Sequence, residues 1–129
     1  MTTLQKGKLA ESLVMAEAIR RGFIVSVPFQ EDCSYDLILD TGERLLRVQV
    51  KYTKSDGNVI KVSCQSCNNW QTKHYDENTI DAFICYDATA KLFLYLGPEL
   101  FRQRTVNFRL EEPLNNQVAG VRFAKDHLW

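Results

Sequence analysis

Tyr35-Asp36-Leu37-Ile38-Leu39-Asp40-Thr41-Gly42-Glu43-Arg44-Leu45-Leu46-Arg47-Val48-Gln49-Val50-Lys51 decides the reading of this chain. Two alternating apolar runs flank Thr41-Gly42-Glu43, the pattern of an antiparallel hairpin. Centring the hairpin between Gly42 and Glu43 sets Tyr35 against Val50, Leu37 against Val48 and Leu39 against Leu46. All three pairs are apolar and share one face. A one-residue slip would send every side chain to the opposite face and destroy the match.

The same register sets Asp36 opposite Gln49 on the other face, with Lys51 about 7 Å further along it. Opposed side chains start about 5 Å apart, close enough for both oxygens to hold one cation. A carboxylate and an amide oxygen are hard donors suited to Mg²⁺, and the Val50 carbonyl could add another. Lys51 would then polarise a water or stabilise charge on a phosphate beside the metal. An Asp-Gln-Lys trio is also what the wet face of an amphipathic sheet carries, so spacing alone leaves both readings open.

Upstream, residues 4–21 read as a helix. Leu9, Leu13, Ala16 and Arg20 trace one stripe, and Ala10, Val14 and Ala18 widen its apolar side. Gly22 stands where a left-handed C-terminal cap belongs, with Arg20 and Arg21 at the negative end of the helix dipole. Gly7 costs the helix about 1 kcal/mol relative to alanine, which suggests close approach to another backbone. Residues 23–28 read as a strand ended by Pro28. Beyond the hairpin, strands are expected at 58–63, 80–86 and 91–96, with polar residues 65–78 irregular. Gly97-Pro98 opens a short helix to residue 104, 106–110 reads as a last strand, and 115–129 carry weak signals. One leading helix followed by a run of strands argues a mixed α/β or α+β arrangement, taken as a single domain over residues 1–129.

With 45% hydrophobic and 25% charged residues, the composition fits an ordinary globular domain with one core. No stretch is apolar for long enough to span a bilayer, and Glu11 and Glu17 interrupt any basic-then-apolar leader, so no membrane partner and a cytoplasmic location are expected. A formal net charge of zero speaks against a general nucleic-acid coating protein, which needs a cationic surface. It does not speak against a nuclease, whose metal site concentrates carboxylates. Cys64-x-x-Cys67 offers half of a zinc site, but Cys33, Cys85, His74 and His127 do not repeat the spacing, so strand-end and buried thiols are the expected role.

Tyr35-Asp36-Leu37-Ile38-Leu39, a hairpin, and then Val48-Gln49-Val50-Lys51 resemble the PD-(D/E)XK nuclease superfamily. They are similar in particular to its group I intron-encoded homing endonucleases, where glutamine replaces the acid of the second motif, as Gln49 does here. Gly7-Lys8-Leu9-Ala10-Glu11 resembles the helical motif that supplies a further acid. Tyr75-Asp76-Glu77-Asn78-Thr79-Ile80-Asp81-Ala82-Phe83, followed by Tyr86, resembles the family's next strand. Tyr35 stands where the motif's proline is expected. The resemblance implies a restriction-endonuclease-like core, a central mixed sheet flanked by helices, acting on phosphodiester bonds with Mg²⁺, for which Mn²⁺ can substitute. It implies Asp36 as a metal ligand, Gln49 in the second ligand position, Lys51 as the catalytic lysine and Glu11 as an auxiliary acid.

The expected activity is site-specific double-strand cleavage of DNA. A Holliday-junction resolvase or another repair or restriction nuclease of the superfamily is the alternative, and Gln49 keeps a non-catalytic DNA-binding module open. Lys54, Asn68, Asn69, Gln71 and Lys73 are candidate DNA contacts, because lysines meet phosphates and amides pair with adenine edges in the major groove. Tyr52 and Lys61 flank the hairpin in the same way. A single recognition module buries only about 600–1,000 Å², so a homo-oligomer, dimer or tetramer, is expected to share a long target. Val118, Val121, Phe123, Leu128 and Trp129 could serve that interface or the core. Asp81 and Asp87 read as structural, and His74 and His127 as surface residues.

Overall fold

The computed structural model describes residues 1–68, 71–111 and 120–129, with residues 67, 68 and 71 described by their backbone alone. The chain opens with α1 (Thr3–Arg20). Thr2 and Gln5 form a reciprocal capping box at its start. At its end Gly22 takes φ 86°, which lets Gly22 N–H reach the Ile19 carbonyl (2.9 Å) and Phe23 N–H the Ala18 carbonyl (3.0 Å). This is the left-handed cap expected from Gly22.

The buried face of α1 differs from the stripe drawn through Leu9, Leu13, Ala16 and Arg20. Ala10, Val14 and Ala18 are buried, whereas Leu9 is 36% exposed. Small residues let the helix lie close to the sheet, so closeness of approach, rather than side-chain bulk, sets the packed face. Gly7 does not explain this approach, because a Cβ built there would meet no atom within 4 Å.

Strands β1 (Ile24–Ser26), β2 (Leu37–Asp40), β3 (Leu45–Thr53), β7 (Ala82–Asp87) and β8 (Leu92–Leu96) form one sheet in the order β1-β2-β3-β7-β8. Only β3 and β7 run parallel, so the sheet is mixed. The hairpin register is the expected one where β2 and β3 pair: Leu37 faces Val48 and Leu39 faces Leu46. Those four residues and Val50 pack beneath α1.

The other face of the sheet is covered mainly by strands, together with one short helix. Strands β4 (Val59–Ser63) and β9 (Thr105–Arg109) pair as a ribbon. The ribbon presses Ile60, Val62, Val106 and Phe108 onto Phe83, Cys85, Leu94 and Leu96. A short α2 (Pro98–Phe101) closes that core with Leu100 and Phe101; it ends before residue 104. Layers on both faces explain why Ala82, Phe83, Ile84 and Cys85 of β7 are all buried.

The stretch 65–78, expected to be irregular, contains a second hairpin, β5 (Gln65–Asn68) with β6 (Gln71–His74). Asp81 and Asp87 are structural. Asp81 meets Arg47 through two guanidinium bonds of 3.1 Å and accepts the Arg47 N–H at 2.8 Å, tying β3 to the start of β7. Asp87, fully buried, accepts from the Thr53 and Ser55 hydroxyls and from the Ser55 and Ala90 N–H groups. Near the C-terminus, Trp129 stacks edge-on against Phe93 and lies under the Arg21 guanidinium, whereas Leu128 is exposed and Val118 falls outside the described residues. No helix among the described residues is long and apolar enough to cross a membrane.

Candidate active site

The expected pairing stops at Leu37. Asp36 N–H also donates to the Val48 carbonyl, at 2.8 Å, so Asp36 and Leu37 share one cross-strand partner. That is the pattern of a β-bulge, which breaks the alternation of side chains. Tyr35 accordingly does not face Val50 within the α1 layer; it packs against the opposite core. Nor does the ladder carry Asp36 to a place across from Gln49.

Beyond the bulge, β2 no longer offers Val50 a backbone acceptor, and the Asp36 side chain takes that place. Its Oδ2 accepts the Val50 N–H at 2.9 Å. The second carboxylate oxygen has no hydrogen-bond partner among the described residues. Burial, followed by repulsion from Glu11, holds the Asp36 carboxyl above its ordinary range; the Val50 N–H, Lys8 and Lys51 oppose the shift. A cation beside the free oxygen would relieve both of the forces that raise it.

Glu11, on the first half of α1, lines a cleft of about 330 Å³ together with Lys8, Glu31, Tyr35 and Asp36. Its carboxylate is paired with Lys8 at 3.1 Å. A second cleft, about 470 Å³, lies between the start of α1 and the end of β3; Gln49, Val50, Lys51 and Lys54 line it. The Gln49 side chain is half-buried, and no hydrogen bond from it is found among the described residues. Val50 joins the two clefts, because it lines the second and donates to Asp36 in the first.

Lys51 is half-buried, and its Nζ donates to the Gln65 carbonyl at 2.9 Å, the first residue of β5. The ammonium lies 5.9 Å from the Tyr75 ring centroid and 5.8 Å from that of Phe83. Burial pushes its pKa down, against the attraction of Cys64, Asp36 and Cys85. The lysine is therefore held between the centre and the β5–β6 hairpin.

The remaining candidates separate. Lys73 is exposed on β6, 5.5 Å from the Tyr75 ring, and lines neither cleft. Asn68 and Gln71 are register partners at the end of the hairpin, and Asn69 lies outside the described residues. Lys61 is exposed on the outer face of the β4–β9 ribbon, and Tyr52 packs beneath α1. His74 is exposed, whereas His127 is half-buried against the Phe108 ring. Sequence reasoning missed Lys8 and Tyr75; the three-residue spacing of Lys8 from Glu11 on a helix was the signal for the first.

Among the described residues, no three His, Cys, Asp or Glu side chains come together as a metal-binding group. Burial pushes the Cys64 thiol up to about 11, which disfavours the thiolate that zinc requires. Asp36 and Glu11 line one cleft and Gln49 and Val50 the other, and the donors that the resemblance implies, which would meet where Val50 joins the two, would all be oxygen. That chemistry fits a hard divalent cation and not zinc.

A search of curated proteins finds no match. Among solved structures, the chain is similar to the bacterial homing endonuclease I-Ssp6803I, with a TM-score of 0.74 and 24% identity over 99% of this chain and 89% of that one. It is also similar to Hjc, a Holliday junction resolvase from the archaeal hyperthermophile Archaeoglobus fulgidus, with a TM-score of 0.51 and 13% identity over 81% of this chain and 84% of that one. Both likenesses are of fold, and they agree with the helix-backed mixed sheet described above. The profile of the PD-(D/E)XK endonucleases, nucleases that generally use divalent metal ions, matches residues 1–129, and the chain belongs to that family.

Proposed function

We propose that the protein is a Mg²⁺-dependent endonuclease of the homing type, making site-specific double-strand cuts in DNA. The observation that carries this is the docking of the Asp36 carboxylate on the Val50 N–H, with Gln49 and Lys51 on either side of that amide along β3. One free carboxylate oxygen, a second acid on α1 and a lysine ammonium on the adjoining strand make a centre suited to phosphodiester hydrolysis.

In this reading Asp36, Glu11, the Gln49 amide and the Val50 carbonyl hold the metal. A bound ion would supply Lewis acidity toward a phosphate oxygen and lower the pKa of a water so that hydroxide is available near neutral pH. Lys51 keeps its ammonium where negative charge develops on the phosphate, held by the Gln65 carbonyl near the Tyr75 and Phe83 rings. Val50 N–H holds Asp36 in one orientation, so the site is preorganised before DNA arrives. Lys73 on β6 and the candidate contacts Asn68, Asn69 and Gln71 meet the target, and two or four copies share it.

The test is cleavage of linear genomic, plasmid and four-way-junction DNA with Mg²⁺ or Mn²⁺, comparing wild type with Lys51→Ala. Discrete cuts in linear DNA that vanish in the variant support the reading. Preference for the junction would move it to a resolvase, the activity named for the archaeal relative. DNA binding without any cut would leave a binding module. Joint substitution of Asn68, Asn69 and Gln71 is expected to relax sequence preference, and unchanged preference removes the hairpin from recognition.

A further inference from the structure

The two clefts that meet at Val50 differ in charge. The first carries Glu11, Glu31 and Asp36 against a single Lys8. The second carries Lys6 and Lys54, with no carboxylate in its lining, while the Lys51 ammonium is taken by the Gln65 carbonyl. Neither Lys6 nor Lys54 is among the ion pairs of the described residues. Lys6 instead rests 6.0 Å from the Tyr52 ring, which forms part of the same groove.

Gly7 lies on the helical wall of this groove. A glycine inside a helix is destabilising relative to alanine. The fold gives it no reason, because a Cβ at Gly7 would meet no atom within 4 Å. Gly7 lines the groove with open space in front of it, which leaves room for whatever enters there.

We infer that the groove between α1 and the end of β3 holds the DNA strand being cut, with Lys6 and Lys54 on phosphates flanking the scissile one and Gly7 letting the sugar–phosphate chain approach the helix backbone. This rests on the nuclease reading and adds the path of the strand. The cation takes the acidic side of the Asp36–Val50 junction, the basic groove takes the phosphates, and the reacting bond lies at that junction. Chain direction fits this, because Gln49 to Lys54 runs without interruption from the site along the groove floor.

The experiment measures duplex DNA binding in EDTA, where no cutting occurs, as a function of salt. It compares wild type with Lys6→Ala/Lys54→Ala, Gly7→Ala and Gly7→Leu, and each variant's melting temperature is recorded. Each phosphate contact contributes about 0.9 to the slope of log K against log salt, so the double variant is expected to lose nearly two from that slope with unchanged melting. Gly7→Ala is expected to melt higher and bind more weakly, and Gly7→Leu to lose about tenfold in affinity, on the order of one phosphate contact. An unchanged slope in the double variant, or wild-type affinity in Gly7→Leu, overturns the groove. Cleavage by wild type with an unchanged slope overturns the groove alone. A lost slope without cleavage by wild type keeps the groove and removes the nuclease reading. Failure of wild type to bind DNA removes both.

Discussion

The carboxylate of Asp36 and the main chain of Val50 are joined by one hydrogen bond of 2.9 Å, formed where β2 has already left the ladder. The bond orients Asp36 and outweighs the repulsion from Glu11, but it does not offset the burial. In Asp36→Asn the amide oxygen can still accept from Val50, while the buried charge is gone. Cleavage is expected to fall to background and stability to rise by about 0.5–2 kcal/mol, the trade-off common at sites built for function. The sign follows from linkage. A folded-state pKa above the ordinary 3.8 gives a contribution that is fully present below 3.8 and lost as pH rises through the folded value. The gain in Asp36→Asn is therefore greatest at neutral pH and shrinks toward pH 3.8, which urea unfolding across that range measures.

Divalent metal should reverse the cost of the buried carboxylate. A cation that binds only the folded protein stabilises it by about 2.7 kcal/mol at a hundredfold excess over Kd. Wild type is expected to melt higher as Mg²⁺ or Mn²⁺ is added, and Asp36→Asn to show no such rise. Equal rises in both proteins would place the metal elsewhere.

The hairpin register was readable because Leu37, Leu39, Leu46 and Val48 alternate without a break, and only one pairing buries all of them. The bulge at Asp36 was not readable. It depends on where one N–H and one carboxylate find partners, and the apolar pattern through Tyr35 gave the opposite answer. The β5–β6 hairpin was missed for a related reason: Gln65 to His74 has no alternation of apolar residues. On α1 the stripe through Leu9 misled, whereas Ala10, Val14 and Ala18, read as its flank, are the buried residues. Glu11 was suggested by family resemblance alone, and its neighbour in charge, Lys8, by nothing but helical spacing.

Lys51 sets an alkaline limit. Burial lowers its pKa from 10.5, so the ammonium is lost at a pH below that of a free lysine. If charge at this position stabilises the phosphate, cleavage falls as pH rises through a midpoint under 10.5. Lys51→Arg, which stays charged, is expected to move that limb to higher pH, and Lys51→Ala to lose about 10²–10³ in kcat at neutral pH. A rate that climbs as the wild-type lysine deprotonates would make it a base instead.

Asp87 tests whether the scaffold and the chemistry separate. Its two carboxylate oxygens take four hydrogen bonds, from the Thr53 and Ser55 hydroxyls and from the Ser55 and Ala90 N–H groups, all between 2.8 and 3.0 Å. These hold the end of β3 to the turn after β7, at the opposite end of β3's pairing with β7 from the Arg47–Asp81 pair. Asp87→Ala leaves the part-buried Ser55 and Ala90 N–H groups without their acceptor, a loss of about 1–3 kcal/mol each at full burial and less here. Denaturant unfolding is expected to show a loss of about 2–4 kcal/mol, in the range of broken buried networks. Since Asp87 lines neither cleft at the centre, the fraction that remains folded should cut DNA at the wild-type rate. A rate lowered in fully folded Asp87→Ala would mean that the end of β3, and with it Lys54, is positioned for the chemistry through this carboxylate.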